Sequence, residues 1–132
     1  MNDESAFERG MRRLREVDGE VGVRAVERLR AISPDLARYI VEFAFGEVYS
    51  RPGVDPKYRE AAALGALTAL GHTRPQLKTH VHAALNAGLS REEIKEILLL
   101  MAPYVGFPSA LNAMFAAQEV FDRTGPEGEE AP

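Results

Sequence analysis

Cysteine is absent from all 132 residues. That excludes a disulfide framework, a thiolate zinc site, an iron–sulfur cluster, a cysteine nucleophile and any dithiol redox cycle. No run of about 18 apolar residues occurs, so no segment is expected to span a membrane. The opening stretch, MNDESAFERGMRRLREVDGE, is charged throughout and lacks the apolar centre of a signal peptide. A cytoplasmic location is the expectation. There is no basic block either. Sixteen Lys and Arg stand against twenty Asp and Glu, a formal net charge of −4, which is a poor basis for binding nucleic acid. Glycine-rich phosphate loops, G-x-S-x-G, HExxH and EF-hand patterns are also missing. Neither a metal nor a cofactor is expected.

The length suits one domain, and 45% apolar residues with 27% charged suit a folded core. We expect a single helical domain over residues 1–123. Residues 124–132, TGPEGEEAP, are expected to be a disordered acidic tail. No strand pattern appears. Apolar residues recur at three and four, and the punctuation is that of helices, giving about seven helical segments.

Ser5 to Val17 is a charged segment with Phe7, Met11 and Leu14 on one stripe, stopped by Asp18-Gly19. Val21 to Ile32 is the second segment. Ser33-Pro34-Asp35 is a cap, a first-turn proline and an acid at the positive end of the dipole. That helix is expected to run to Tyr49 with Leu36, Ile40 and Phe43 buried. Asp55-Pro56 starts the next, whose AAALGALTAL run reads as a central helix covered on all sides. Such a helix needs more cover than one chain supplies, which suggests an oligomer. After Thr73, the row Leu77, Val81, Ala84 and Gly88 marks a buried line. Gly88-Leu89 is a helix stop, and Ser90 with Glu93 is a capping box. Pro103 bends or ends that helix. The last helix carries Leu111, Met114, Phe115 and Val120 as its apolar residues.

Helix geometry sorts the polar candidates. His80 lies roughly 60° from the buried line and His82 roughly 140° from it, so His80 sits beside the core and His82 faces out. His80 is either a hydrogen-bonded core-edge residue or a proton carrier. The two rings diverge on a helix, which argues against a His-x-His metal site. Glu47 falls on the Leu36–Ile40–Phe43 row, at the helix end where a carboxylate meets the wrong dipole sign. A Glu47–Arg51 pair would explain it without function. Glu60 stands at the mouth of the central helix, as a solvated glutamate or an acid for chemistry. His72 ends that helix and could simply favour the dipole. Tyr104, in an apolar loop, could pack or donate from its hydroxyl.

Three stretches, FGEVYSRPG (45–53), HVHAALNAGLSREEIKEILL (80–99) and YVGFPSALNAM (104–114), resemble the carboxymuconolactone decarboxylase family in order and spacing. That family includes the alkylhydroperoxidase D-like proteins. The resemblance spans about residues 8–121. It implies an all-α alkylhydroperoxidase D-like fold of six or seven helices, assembled as a trimer or hexamer. The peroxidase branch carries a Cys-x-x-Cys pair with an upstream glutamate and a downstream histidine. Glu60 and His80 fall at or near those two positions, while His72-Thr73-Arg74-Pro75 stands where the cysteines would be. A thiol–disulfide cycle needs two sulfurs, so that activity is excluded.

The cysteine-free decarboxylase branch carries G-E-V-[WY]-S-R-P-G, matched here by residues 46–53. The resemblance implies loss of carbon dioxide from 4-carboxymuconolactone in protocatechuate breakdown, giving 3-oxoadipate enol-lactone. No cofactor is needed, because the electrons left behind delocalise into the lactone carbonyl. His80, Glu47 and Glu60 are then the candidate catalytic residues. Arg51, Tyr104 and His72 are candidates for binding the carboxylated substrate and its developing oxyanion. Two other readings stand beside this one: a different non-redox enzyme on the same scaffold, and a non-catalytic helical oligomer that binds a small ligand or partner.

Overall fold

The computed structural model describes residues 3–124. Its elements are α1 (Ala6–Ile32), α2 (Pro34–Tyr39), a π-helix (Ile40–Val48), α3 (Pro56–Leu70), α4 (Arg74–Asn86), α5 (Arg91–Val105) and α6 (Phe107–Arg123). The expected all-α class is observed, with no sheet among the described residues. None of these helices is long and apolar enough to cross a membrane. The expected tail lies outside the described residues beyond Thr124. The chain divides into two compact units, one within Met1–Val54 and one within Asp55–Pro132.

In the first unit the Ser5 hydroxyl caps α1, accepting from the Glu8 amide at 3.0 Å. The stop at Asp18-Gly19 is a kink inside α1. Gly19 adopts φ 64° and ψ −157°, where a side chain would be strained. Ser33 caps α2 through the Leu36 amide at 3.3 Å, and Pro34 occupies its first turn.

The next segment corrects the sequence reading. It is not α-helical to Tyr49 but widens into the π-helix. Wider turns change which residues share a face. Ala37, Val41 and Gly46 are buried, at spacings of four and five, while Leu36 and Phe43 are 48% and 66% exposed. The backbone of α1 approaches this segment closely. A Cβ at Gly10 would lie 2.0 Å from the Val41 carbonyl oxygen, and one at Gly46 would lie 2.7 Å from that of Ala6. Leu14, Val26, Ala37 and Val41 form this unit's core, flanked by Phe7, Met11, Leu29 and Phe45.

In the second unit the caps and the Gly88 stop behave as read, whereas Pro103 does not end its helix. Asp55 caps α3 through the Lys57 amide at 2.9 Å, and Gly71 ends it at φ 80°. Gly88 takes φ 102°, and the Leu89 amide returns to the Ala84 carbonyl at 3.0 Å. Ser90 and Glu93 form both halves of the capping box. Helix α5 continues through Pro103 to Val105. Leu64, Val81, Ile94 and Leu98 are fully buried at the centre.

Within this chain α3 is covered on one side: Glu60, Leu64 and Thr68 are buried, whereas Ala62, Ala66 and Ala69 are exposed. Helix α6 buries alanines (Ala110, Ala113, Ala116 and Ala117) together with Val120 and Phe121. Small residues let its backbone approach the neighbouring helices, so Leu111 and Phe115 are left 54% and 56% exposed.

Candidate functional site

The second unit brings together an acid and an imidazole. Asp55 and Pro56 fix the start of α3, which places Glu60 one turn inside the helix and four residues before Leu64. The buried row of α3 thus begins with a carboxylate. On α4 the buried line Leu77–Val81–Ala84 sets His80 at its edge. The Nδ1 of His80 lies 2.8 Å from Oε1 of Glu60. The Glu60 side chain is 2% exposed and that of His80 is 21% exposed.

This contact fixes the imidazole. With an ionised acid, Nδ1 carries the hydrogen donated to Glu60, and Nε2 on the opposite side of the ring is the atom that can exchange protons. The second carboxyl oxygen, Oε2, is buried and has no hydrogen-bond partner among the described residues. A buried carboxylate satisfied on one oxygen only is costly to fold.

The other candidates occupy different places. His72 lies in the exposed turn after α3, with Nδ1 3.0 Å from the Leu70 carbonyl oxygen. Tyr104 is not in a loop: it sits in the last turn of α5 and is 78% exposed. His82, expected to face out, is half-buried. Glu47, in the first unit, is not on a buried row, because the π-helix shifts the phase. Its side chain is 62% exposed and pairs with Arg9 at 3.5 Å. Arg51 comes after the π-helix, its amide donating to the Val48 carbonyl at 3.3 Å. Among the described residues no group of three or more His, Cys, Asp or Glu could hold a metal ion.

Two residues that the sequence reading passed over also engage this segment. Arg9 donates from Nε to the Gly46 carbonyl at 2.7 Å, and Arg13 from Nε to the Tyr49 carbonyl at 2.9 Å. Their spacing of four on α1, bracketing Gly10, was the available signal. It looked like ordinary surface charge.

Comparison with known proteins agrees with the helical arrangement. The chain is 38% identical to the 4-carboxymuconolactone decarboxylase of Acinetobacter baylyi over 95% of its own length and 93% of that protein. It is 36% identical to the nitrosuccinic acid decarboxylase of Metarhizium robertsii over 68% of its length and 62% of that protein. An uncharacterised 15.0 kDa protein of Paracoccus denitrificans is 35% identical over 75% of this chain and 72% of its own. These similarities support a carboxy-lyase, an enzyme of decarboxylase type. Residues 34–119 match the carboxymuconolactone decarboxylase family, a span that contains both Glu60 and His80, and the chain belongs to that family.

Proposed function

We propose that the protein removes carbon dioxide from a small carboxylated lactone of the 4-carboxymuconolactone kind. The observation that carries this reading is the 2.8 Å contact between His80 and the buried Glu60. The similarity along nearly the whole length to a named 4-carboxymuconolactone decarboxylase supports the substrate class.

The bond that breaks joins the ring carbon to its carboxylate. Its electron pair moves through the adjacent double bond to the lactone carbonyl oxygen. The resulting dienolate takes a proton at the carbon next to that carbonyl. Protonated Nε2 of His80 supplies it, and Glu60 holds the ring while its charge changes. Water then restores the proton. Arg51 is proposed to bind a substrate carboxylate through its two-point fork. The proposed binding roles of Tyr104 and His72, and any acid role of Glu47, rest on their side-chain chemistry alone.

Similarity to the named nitrosuccinic acid decarboxylase favours a second reading, in which the substrate is a nitro acid. A nitro group accepts the electron pair as a lactone carbonyl does, and the same His80 would protonate the carbon. An ultraviolet assay with 4-carboxymuconolactone, related lactones and nitrosuccinate separates the two. Turnover of the lactone supports the first, turnover of nitrosuccinate alone supports the second, and turnover of neither refutes both.

We also propose that copies of the chain associate. Phe107, Leu111 and Phe115 recur every four residues along α6 and are all more than half exposed, an apolar stripe that water disfavours.

A further inference from the structure

We propose that Arg13, supported by Arg9, is a positioning residue for Arg51: the two arginines cap the end of the π-helix and so set where the Arg51 guanidinium is presented. This rests on the proposed role of Arg51 as the group that binds a substrate carboxylate.

A helix end leaves its last carbonyls without amide partners, and a wider winding does the same. Here those oxygens are taken one by one. The Ala44 carbonyl accepts from the Tyr49 amide at 2.8 Å, five residues on. The Phe45 carbonyl accepts from the Ser50 hydroxyl at 2.6 Å. The carbonyls of Gly46 and Tyr49 are the two reached by Arg9 and Arg13. A guanidinium at this end also meets the negative pole of the helix.

Reach depends on Gly10 and Gly46. Their missing side chains let α1 and the π-helix touch backbone to backbone, which brings the two arginine stems within range of main-chain oxygens. Arg13 is held in turn by Glu16, whose Oε2 accepts from Nη1 at 2.8 Å. Its planar fork therefore spans Glu16 on α1 and the Tyr49 carbonyl in a fixed geometry, which the rotatable ammonium of a lysine holds less rigidly.

Tyr49 lies two residues before Arg51, so a bond on its carbonyl orients the peptide plane through which the chain enters Ser50 and Arg51. Residues 51–54 are exposed, and a Cβ at Gly53 would meet nothing within 4 Å. The bonds on residues 45–49 therefore bear on the main chain that enters Arg51 from its N-terminal side.

Steady-state kinetics with 4-carboxymuconolactone, on Arg13→Met, Arg13→Lys, Arg51→Met and the Arg13→Met/Arg51→Met double variant, test this. Arg13→Met should raise KM roughly 3- to 10-fold with kcat within about 2-fold, and Arg13→Lys should recover part of the loss. In the Arg51→Met background, Arg13→Met should add no further rise in KM, because it acts through a group already removed. Hydrogen exchange across residues 44–51 should quicken in Arg13→Met. A wild-type KM in Arg13→Met, an additive rise in the double variant, or unchanged exchange would each overturn the proposal. Should Arg13→Met fail to fold, the KM and exchange of Arg13→Lys decide it. A wild-type KM in Arg51→Met, or no turnover by the parent protein, overturns the Arg51 reading instead, and exchange still tests the cap by itself.

Discussion

Nδ1 of His80 sits 2.8 Å from a glutamate oxygen contributed by Glu60, twenty residues earlier on a different helix. Only the histidine of this pair retains some exposure to solvent. The proton must therefore leave through Nε2 of the ring. His80→Gln keeps a polar side chain but cannot carry a proton at neutral pH. It should lower kcat by about 10²- to 10⁴-fold with a smaller change in KM. Single-turnover and steady-state assays on the lactone check this, and unaltered rates would remove His80 from the chemistry.

The pair's stability gives a second test. Replacing both members of a buried polar pair by apolar residues is often neutral or stabilising, whereas removing one leaves the other stranded. Glu60→Leu/His80→Leu should melt no lower than the parent protein while losing decarboxylation. His80→Leu alone should melt lower, by about 1–3 kcal/mol, since the buried Glu60 then loses the hydrogen bond from the ring. Thermal unfolding of both variants reads the difference. A double variant that melts far below the parent would make the pair a structural element.

Helix boundaries and the His80 position were legible because both depend on local chemistry. Caps at Ser33, Asp55 and Ser90 and the stop at Gly88 speak for themselves in the sequence, whereas Gly19 kinks its helix rather than ending it. The row Leu77–Val81–Ala84 has the α period, so the bearing of His80 could be read from it. Glu47 was misplaced because no local signal announces a π-helix. That winding lies where Gly10 of α1 packs against Val41, a contact between distant residues that no local pattern records. On α6 the buried face is largely alanine, as Ala113, Ala116 and Ala117 show, because close helix approach selects small residues, and side-chain size in the sequence does not announce that. Glu60 was visible only as an anomaly; its burial depends on helices that sequence spacing does not place.

The same contact predicts a sharp steric effect at Gly10. A methyl group there would meet the Val41 carbonyl oxygen at 2.0 Å, which is backbone and cannot swing aside. Gly10→Ala should cost about 2–4 kcal/mol despite its gain in helix propensity. Chemical denaturation measures this. Gly53→Ala, where a Cβ meets nothing within 4 Å, is the control and should change stability little.

The capping box gives α5 a pH dependence. The Ser90 backbone amide donates to Glu93 at 2.9 Å, and this bond holds the Glu93 carboxyl below the ordinary glutamate range. A carboxyl lowered on folding adds stability above its unfolded pKa and loses it as pH falls through the folded value. The parent protein should therefore exceed Glu93→Gln in melting temperature near neutrality. The gap should narrow from about pH 5 downward. Melting curves of both proteins from neutral to acid pH check the sign, and a gap that widens in acid would contradict it.

The exposed stripe on α6 is a prediction about association. Phe107 is 79% exposed and Phe115 56%, and the two are joined along the helix by Leu111. Alanines on the opposite side of α6 already pack against the rest of the second unit, so the stripe is not needed for the chain's own core. If copies meet there, Leu111→Glu/Phe115→Glu places two carboxylates in an apolar contact, where desolvating them costs more than the contact returns. Light scattering should then give an oligomer mass for the parent protein and a monomer mass for the variant. Circular dichroism should show the same helical signal in both, because neither side chain is buried within the chain. A parent protein of monomer mass, or a variant that keeps the oligomer mass, would mean that this face is not where copies join.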